Sequence, residues 1–234
     1  MDFNQLLANI NINLSEYQLK QFHDYFEFLV SYNEKVNLTA ITEETEVYIK
    51  HFYDSLLLAK SINLNEVKTL CDVGSGAGFP SIPLKIAFPH LKITIIDALD
   101  KRLVFLKELS KLLNLDNIEL VHSRAEDYAK AHREVFDVVT ARAVARENIL
   151  NELCIPLTKV GGHFISMKGK NADEELNEGR SLEILKGKIV DRKDYYLPEE
   201  ESKRVLVVIK HFEKCPNKYP RAFGAIKKNP LSEV

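Results

Sequence analysis

The sequence has little cysteine and no long apolar segment, and both shortages exclude classes of protein. Only three of its 234 residues are cysteines, Cys71, Cys154 and Cys215, and none stands in a CxxC pair. A disulfide framework and a structural zinc site are therefore disfavoured, and we expect all three cysteines to be structural. No run approaches the ~20 apolar residues of a membrane span, and the N-terminus lacks the pattern of a secretion signal. We expect a cytoplasmic protein with no membrane partner and no metal.

Net charge is also nearly absent. The formal charge is −2 at pH 7, and such a small value disfavours a nucleic-acid partner, because phosphate binding usually requires a basic excess. The charge is nevertheless distributed unevenly. Residues 202–234 contain eight Lys or Arg and two Glu, a net of +6, so the other 201 residues sum to −8. The chain therefore ends in a basic tail, over about residues 210–234.

The remaining composition is that of a globular protein, 45% apolar, arranged in two successive patterns. Residues 1–65 have helical spacing, with a capping box at Ser15 and Gln18, and predict an N-terminal helical cap. Within the cap a second helical stretch is predicted over about 47–59. From residue 66 onward, short apolar runs alternate with amphipathic segments. This alternation predicts one α/β domain over 66–234, with a parallel sheet covered by helices on both faces.

Seven apolar runs predict the strands of this sheet. Five lie at 67–73, 92–97, 118–123, 136–141 and 163–168. The last two, 187–197 and 204–212, are separated by an acidic turn, Glu199 to Glu201, and by no helix. They should therefore form an antiparallel hairpin at the edge of the sheet. The predicted fold class is α/β, with a mostly parallel seven-stranded sheet.

A glycine-rich loop at the end of the first predicted strand indicates a ligand site. The loop reads DVGSGAGFP over residues 72–80, and its glycines allow positive φ and close approach of a ligand to the backbone. A dinucleotide fingerprint would need a glycine where this sequence has Phe79. A carboxylate at Asp72 suits a cationic amino acid with a sulfonium better than a pyrophosphate, because opposite charges in a partly desolvated cleft attract by roughly 1–4 kcal/mol. The loop therefore favours S-adenosylmethionine, with Asp72, Gly74, Gly76 and Gly78 at its site.

Other polar residues follow the carboxyl ends of later strands, where ligands bind in open α/β sheets. Asp97 ends the second predicted strand and can accept hydrogen bonds from ribose hydroxyls. The loops after the next two strands contribute Glu126 and Arg142. Structural roles stay open at this point, because Asp97 and Glu126 could cap helices, Arg142 could form a surface ion pair, and Phe79 could be core.

Seven short motifs, in order along nearly the whole chain, carry a family resemblance. They are NLTAI (37–41), HFYDSL (51–56), DVGSGAGFPSIPLKI (72–86), SRAE (123–126), TARA (140–143), KYPR (218–221) and KKNPL (227–231). Together they resemble the ribosomal RNA small subunit methyltransferase G family, also called glucose-inhibited division protein B. The resemblance implies a Rossmann-like class I S-adenosylmethionine-dependent methyltransferase fold. It also implies methyl transfer to N7 of a guanine in 16S rRNA, near the decoding region.

The resemblance further implies the roles of individual residues. Asp97 falls at the ribose position of the cofactor, and His51 and Asp54 fall in a helical motif beside the site. The implied cofactor contacts are Gly74, Phe79, Ala125, Glu126 and Arg142.

The chemistry of guanine N7 predicts a site without a catalytic base. N7 carries an in-plane lone pair and no proton, so alignment of the reactants, worth roughly 7–11 kcal/mol, is the main task. Candidates to position the substrate are Arg142 and Lys168, which end predicted strands, together with His51 and Asp54. His51 could instead be packed between helices, and Lys168 could be a solvated loop lysine.

The basic tail predicts the RNA contact, because it combines positive charge with aromatic stacking platforms. Its aromatic residues are Phe212, Tyr219 and Phe223, and its RNA-binding candidates are Lys218, Arg221, Lys227 and Lys228. Its prolines, Pro216, Pro220 and Pro230, predict a fixed extended path instead of a helix. A solvated charged tail is the alternative. The expected partner is 16S rRNA or the small ribosomal subunit, and we expect the chain to be a monomer.

Three other functions are open to the sequence. The chain could be a methyltransferase for another RNA, a small molecule or a protein, with the tail incidental. It could be an RNA-binding protein on a degenerate methyltransferase scaffold, although the intact glycine loop and Asp97 disfavour this. A nicotinamide oxidoreductase is disfavoured by Asp72 and Phe79.

Overall fold

A computed structural model describes residues 3–176, 180–198 and 202–231, so the acidic turn Glu199 to Glu201 lies outside the described residues. The strands are β1 (Thr69–Val73), β2 (Lys92–Asp97), β3 (Ile118–His122), β4 (Phe136–Arg142), β5 (Thr158–Lys168), β6 (Gly187–Tyr196) and β7 (Lys203–His211). The helices are α1 (Phe3–Ala8), α2 (Glu16–Asn33), α3 (Glu44–Val47), α4 (Asp54–Leu56), α5 (Ser81–Ala87), α6 (Asp100–Leu112), α7 (Ala125–Ala131), α8 (Glu147–Cys154), α9 (Ala172–Leu176), α10 (Ser181–Leu185) and α11 (Phe223–Lys228). Short 3-10 turns cover Leu57–Lys60, Leu64–Glu66 and Ile155–Leu157.

The seven strands form one sheet in the order β3-β2-β1-β4-β5-β7-β6. Strands β1 to β5 are parallel, and β7 pairs antiparallel with both β5 and β6. The predicted sheet and edge hairpin are therefore confirmed. The fifth strand begins at Thr158, five residues before the prediction, because Gly161 and Gly162 interrupt the apolar pattern there. Gly161 has a φ of +85°, a conformation that favours glycine.

The N-terminal helices pack on the sheet and reach the glycine loop. The capping box is confirmed, since the Gln18 N–H donates to Ser15 Oγ at 3.3 Å and the Ser15 N–H donates to Gln18 Oε1 at 2.9 Å. Tyr25 of α2 is fully buried, and its hydroxyl donates to the Ala77 carbonyl at 2.5 Å. The apolar core runs across residue 65, so the boundary between cap and domain stays a prediction.

The second predicted helical stretch is continuous from Glu44 to Lys60 but changes its winding. Between α3 and α4 lies a wider π turn, Tyr48–Tyr53, which contains His51. Such turns are often found at functional sites, because they divert main-chain carbonyls from the α-helical ladder. Here the Lys50 carbonyl accepts a hydrogen bond from Arg142 at 3.2 Å. The π turn therefore joins the cap to the carboxyl end of β4.

The basic tail is part of the fold. Cys215, Tyr219, Ile226 and Leu231 are buried and belong to the core formed with α7 and α8. After β7 the tail has no helix or strand up to Ala222 and then forms α11, so the expectation of an extended path without a helix is wrong for this last part. The reason is that its prolines lie on either side of this short helix, not within it. All three cysteines of the chain are buried and free, which fits the structural role predicted for them.

Among the residues that the structure describes, none of the helices combines the length and the apolar character needed to cross a membrane.

Candidate active site

The glycine loop leaves β1 at the carboxyl edge of the sheet, and its three glycines serve different purposes. Gly74, Gly76 and Gly78 have φ values of +75°, +61° and +98°. A Cβ on Gly74 would lie 2.8 Å from a methyl of Val144, and a Cβ on Gly78 would lie within 2.9 Å of three side chains. A Cβ on Gly76 would meet nothing within 4 Å. Two glycines therefore permit close packing of the loop, and the third lies against open space.

Three adjoining cavities follow this edge of the sheet. The Asp97 cavity, about 210 Å³, is lined among others by Asp97, Leu99, Ala125, Glu126 and Phe223. The glycine-loop cavity, about 370 Å³, is lined among others by Gly74, Gly76, Phe79, Arg102 and Arg142. The outer cavity, about 370 Å³, is lined among others by Lys50, Asp54, Arg142, Lys168, Glu175 and Arg204.

Shared walls join the three cavities into one groove. Gly74, Arg102 and Val144 line both the Asp97 cavity and the glycine-loop cavity. His51 and Arg142 line both the glycine-loop cavity and the outer cavity. An elongated ligand in the first two cavities would therefore end beside His51 and Arg142, next to whatever occupies the third. This arrangement suits transfer of a group between two bound molecules.

The Asp97 cavity holds two carboxylates. Asp97 accepts a hydrogen bond from the Leu99 N–H at 2.9 Å, and Arg102 lies 3.3 Å from its other oxygen. Asp97 therefore supports the start of α6 as well as facing the cavity. Glu126 is 3% exposed and also lines the cavity. Its carboxylate only accepts hydrogen bonds, so it is suited to bind the hydroxyls of a ligand.

Asp72 occupies a different place from the one predicted. Its side chain is fully buried under the loop, lines none of the three cavities, and accepts the Ser81 N–H at 3.2 Å. Burial raises the pKa of Asp72 to about 7, against opposing contributions from the hydrogen bonds of Ser81 and the charge of Arg142. Direct contact with a bound cation does not fit this geometry. Asp72 instead ties the loop to the beginning of α5.

Phe79 combines a core position with a place in the site. Its ring is 4% exposed and packs against Tyr25 with ring centroids 5.6 Å apart. On another side it stacks on His51 at 4.4 Å, and the Arg142 guanidinium lies 5.0 Å from its centroid. Phe79 therefore links the N-terminal cap to the residues between the glycine-loop and outer cavities.

Arg142 is held by the cap at the junction of two cavities. It donates to Asp54 Oδ2 at 2.8 Å, and its other terminal nitrogen lies 3.3 Å from His51 Nδ1. Nδ1 of His51 also lies 3.2 Å from the Lys50 carbonyl, so in one ring tautomer it accepts from the guanidinium and in the other it donates to that carbonyl. Nε2 lies 2.9 Å from the Thr39 hydroxyl. Burial, with the charge of Arg142, lowers the pKa of His51 to about 3. His51 is thus a neutral positioning group at physiological pH, and Arg142 is not a surface ion pair.

Lys168 is also engaged internally, which excludes a solvated loop lysine. Its ammonium is 2.7 Å from Glu175 Oε2, 3.2 Å from Glu147 Oε2 and 3.0 Å from the Ala145 carbonyl. Burial raises the pKa of Glu147, and Lys168 and the Ser166 hydroxyl oppose that shift. Lys168 therefore fixes two acidic side chains at the wall of the outer cavity.

In the tail, the four predicted RNA contacts separate into two groups. Arg221 forms a bidentate pair with Glu152, at 2.8 and 2.6 Å, and the Glu152 carboxylate is fully buried. Lys218, Lys227 and Lys228 are exposed. Of the predicted stacking residues, Tyr219 is buried, which the sequence pattern did not indicate. Arg221 and Tyr219 therefore anchor the tail to the domain.

Several residues of the groove were not predicted. They are Lys50, Glu175 and Arg204 in the outer cavity and Leu99 in the Asp97 cavity. Phe223, predicted as a stacking residue for RNA, lines the Asp97 cavity. Arg204 lies in the edge hairpin and Glu175 on a short helix after β5. No local sequence signal marks Arg204 or Glu175, because the neighbouring positions of β5 and β7 in the sheet bring these two segments to the same edge.

Solved structures share this architecture. TYW2 of M. jannaschii in complex with AdoMet is 18% identical, with a TM-score of 0.51 over 63% of this chain and 70% of that one. A 16S rRNA (adenine(1408)-N(1))-methyltransferase from Catenulisporales acidiphilia is 16% identical, with a TM-score of 0.52 over 66% of this chain and 87% of that one. The likeness confirms the predicted Rossmann-like fold of class I S-adenosylmethionine-dependent methyltransferases.

Relatives at higher identity cover nearly the whole chain. The Staphylococcus saprophyticus protein described as ribosomal RNA small subunit methyltransferase G is 52% identical to this chain, over 98% of this chain and 97% of the relative. The one of Macrococcus caseolyticus is 53% identical, over 99% of this chain and 98% of the relative. Residues 18–201 also match the profile of the family described as rRNA small subunit methyltransferase G. The chain therefore belongs to the rRNA small subunit methyltransferase G family.

Proposed function

We propose that this protein methylates N7 of a guanine in 16S rRNA, close to the decoding region. S-adenosylmethionine is the cofactor of this methyltransferase, and it supplies a methyl group activated by a sulfonium. The observation that carries the proposal is the groove of three adjoining cavities, with His51 and Arg142 at the junction of the last two. Two cavities would hold the cofactor and the outer one the target base.

The residues of the first two cavities suit the parts of the cofactor. Asp97 and Glu126 offer carboxylate oxygens to ribose hydroxyls, and Ala125 contributes an apolar wall. Gly74 and Gly76 leave the backbone accessible to the amino-acid part. Phe79 and Arg142 line the end toward the outer cavity. Asp72 and Gly78 support this arrangement from beneath, since neither lines the cavities.

The junction residues suit a reaction that needs no general base. Guanine N7 attacks through its lone pair and releases no proton, so the protein has to align the base and exclude competing groups. His51 is a weak base here because its pKa is lowered to about 3, and it stays neutral. Asp54 holds Arg142 at 2.8 Å, which fixes the guanidinium beside the reacting atoms. We assign substrate positioning to Arg142, with His51 and Asp54 orienting it.

The outer cavity has the donors and acceptors that a guanine edge requires. Guanine presents the O6 acceptor beside the N1–H and N2–H donors on its Watson–Crick edge, and O6 and N7 together on the other edge. Lys50, which pairs with Glu46, and Arg204, which lies 3.4 Å from Asp54, line this cavity, and a donor from either to O6 would leave the N7 lone pair for the attack. Glu175 Oε2 is engaged by Lys168 and by the Glu147 N–H at 3.1 Å, whereas Oε1 has no partner among the described residues. We assign Glu175 Oε1 to N1–H and N2–H of the base, with Lys168 holding the carboxylate.

The exposed lysines of the tail are the proposed RNA contacts. Lys227 and Lys228 lie on α11, whose Phe223 lines the Asp97 cavity, so they lie at the cofactor edge of the sheet. Lys218 is exposed three residues before Arg221. Positive charge there would compensate phosphates of a splayed RNA segment. The protein would act as a cytoplasmic monomer on 16S rRNA or on the small subunit.

The decisive experiment is transfer of a labelled methyl group from S-adenosylmethionine to small ribosomal subunits and to free 16S rRNA. The expected product is N7-methylguanosine at one site, identified by mass spectrometry of nucleosides. Label on a different base would contradict the N7 assignment. Transfer in a cell extract that survives ribonuclease treatment would favour a small molecule or a protein as substrate.

Two matched variants test the assignment of Glu175. Glu175→Gln removes a charged acceptor and should lower kcat/KM by roughly 10- to 100-fold, since a hydrogen bond to a charged group contributes about 1.5–3 kcal/mol. Cofactor affinity should not change. Glu174→Gln is the control, because Glu174 is exposed and lines none of the three cavities. Inosine at the target position lacks the N2 donor. With this substrate, Glu175→Gln should lower methyl transfer by a smaller factor than it does with guanosine. An equal factor for both substrates would contradict the contact.

A second pair of variants tests the tail. Lys227→Ala with Lys228→Ala should weaken RNA binding and reduce the slope of log affinity against log salt by about 1.4–1.8. Lys68→Ala with Lys92→Ala is the control, because both are exposed at the amino ends of strands, away from the groove. An unchanged salt slope in the tail variant would exclude these lysines as phosphate contacts.

A further inference from the structure

The C-terminal helix α11 contributes one aromatic side chain to the Asp97 cavity. Phe223 is half-buried and lines this cavity together with Asp97, Ala125 and Glu126, although it lies about 100 residues away from them in sequence. It is the only aromatic residue among the described residues that line this cavity. We propose that Phe223 forms the stacking wall for the adenine of the cofactor. This inference depends on the assignment of the Asp97 cavity to the adenosine part of S-adenosylmethionine.

The chemistry of the cavity distinguishes a base from other ligand parts. The carboxylates of Asp97 and Glu126 suit the hydroxyls of a ribose. The remaining lining is largely apolar and includes Leu99, which is 44% exposed. A purine has two flat apolar faces, and a side chain such as Phe or Leu covers them well. Phe223 and Leu99 are therefore the natural neighbours of the base.

Phe223 is held in place by the packing of the tail. The guanidinium of Arg124, which precedes α7 at the same cavity, lies 5.2 Å from the centroid of its ring. Ile226 on the same helix is fully buried. Arg221 joins the segment to the buried carboxylate of Glu152 and donates to the Asn229 carbonyl at 2.9 Å. A ring fixed in this way loses little conformational freedom when a base stacks on it.

The chain contains no tryptophan, so a single substitution creates a specific reporter. We expect the fluorescence of Phe223→Trp to change saturably on titration with S-adenosylmethionine and with adenosine. Phe212→Trp is the matched control, because Phe212 belongs to the same tail, is 48% exposed, and lies outside the three cavities. Its fluorescence should not respond to either ligand.

Calorimetry measures the contribution of the ring. Phe223→Ala should weaken binding of S-adenosylmethionine and of adenosine by the same factor, roughly 5- to 100-fold, which corresponds to about 1–3 kcal/mol for stacking of one base. Phe212→Ala should bind both as the unmodified protein does. Thermal unfolding without ligand checks that each variant is folded. If Phe223→Ala does not fold, the fluorescence titration of Phe223→Trp still tests the inference.

Two results would overturn the inference. One is an unchanged emission of Phe223→Trp at a cofactor concentration at which calorimetry shows saturation. The other is a folded Phe223→Ala that binds adenosine within two-fold of the unmodified protein. Neither readout involves RNA or methyl transfer, so failure here is distinguishable from failure of the guanine N7 assignment.

Discussion

The buried carboxyl of Asp72 should make the stability of this protein depend on pH in an unusual direction. Its pKa is raised from 3.8 to about 7, chiefly by burial. In the unfolded chain the same group ionises near its ordinary pKa, so the unfolded state is favoured as pH rises between the two values. Stability from this group is fully present below about pH 4 and is lost progressively up to about pH 7. Most paired carboxylates act in the opposite sense.

The magnitude follows from the size of the shift. One pKa unit corresponds to about 1.36 kcal/mol, so a shift of roughly three units corresponds to about 4 kcal/mol between pH 4 and pH 7. Asp72→Asn keeps an oxygen that can accept the Ser81 N–H but does not ionise. The variant should therefore gain stability relative to the unmodified protein by about 1.4 kcal/mol for each pH unit above 4, with no further gain above pH 7.

Urea unfolding at pH 5, 6, 7 and 8 without cofactor measures this difference directly. Asp137→Asn is the control of opposite sign, because Asp137 accepts the N–H groups of Lys68 and Thr69 at 2.9 Å and pairs with Lys159. Although its burial acts against them, these partners lower the pKa of Asp137, so the control should be destabilised by a constant amount over this pH range. A difference between Asp72→Asn and the unmodified protein that stays the same from pH 5 to pH 8 would refute the reasoning.

Three other predictions concern the loop, the tail and the junction. Gly74→Ala places a Cβ 2.8 Å from Val144 at a φ of +75°. Calorimetry should show that the affinity for the cofactor falls at least about ten-fold. An unchanged affinity would mean that the loop lies outside the cofactor site. Arg221→Ala removes the guanidinium that pairs with the fully buried carboxylate of Glu152, so the free energy of unfolding should fall by about 3–5 kcal/mol. A loss below 1 kcal/mol in urea unfolding would contradict the anchoring role. His51→Asn should leave the shape of the pH profile of methyl transfer unchanged between pH 5 and 8, because His51 already has a pKa of about 3; disappearance of an inflection in that range would show that it titrates there.

Local patterns were sufficient to predict most of the architecture. The alternation of apolar runs and amphipathic segments predicted the parallel sheet, and the missing helix between the last two runs predicted the antiparallel hairpin. The capping box at Ser15 is equally local, since its donors and acceptors lie within three residues. The beginning of β5 was misplaced because Gly161 and Gly162 interrupt the apolar pattern without ending the strand.

The part of the site that was predictable is the glycine loop, because its backbone conformation depends on consecutive residues of one segment. Gly74 and Gly76 lie in the loop that turns from β1, and the order of residues is enough to indicate their positive φ. Asp72 shows the limit of such reasoning. Its position next to the loop was correct, but whether a carboxylate faces a cavity or the core depends on which segment packs on that face of β1, and here it is the beginning of α5.

By itself the sequence determined the fold class, the glycine loop and the family, because each of these depends on the order of residues within short segments. The tertiary structure alone decided how the charges are used. Arg142 meets Asp54, Lys168 meets Glu175, and Arg221 meets Glu152 across the fold, so charges that look free in the sequence are engaged inside the protein. The physical reason is that a buried charge requires a partner, and the strand order and helix packing determine which partner is within reach. The same packing brings Phe223 from the tail to the cofactor cavity.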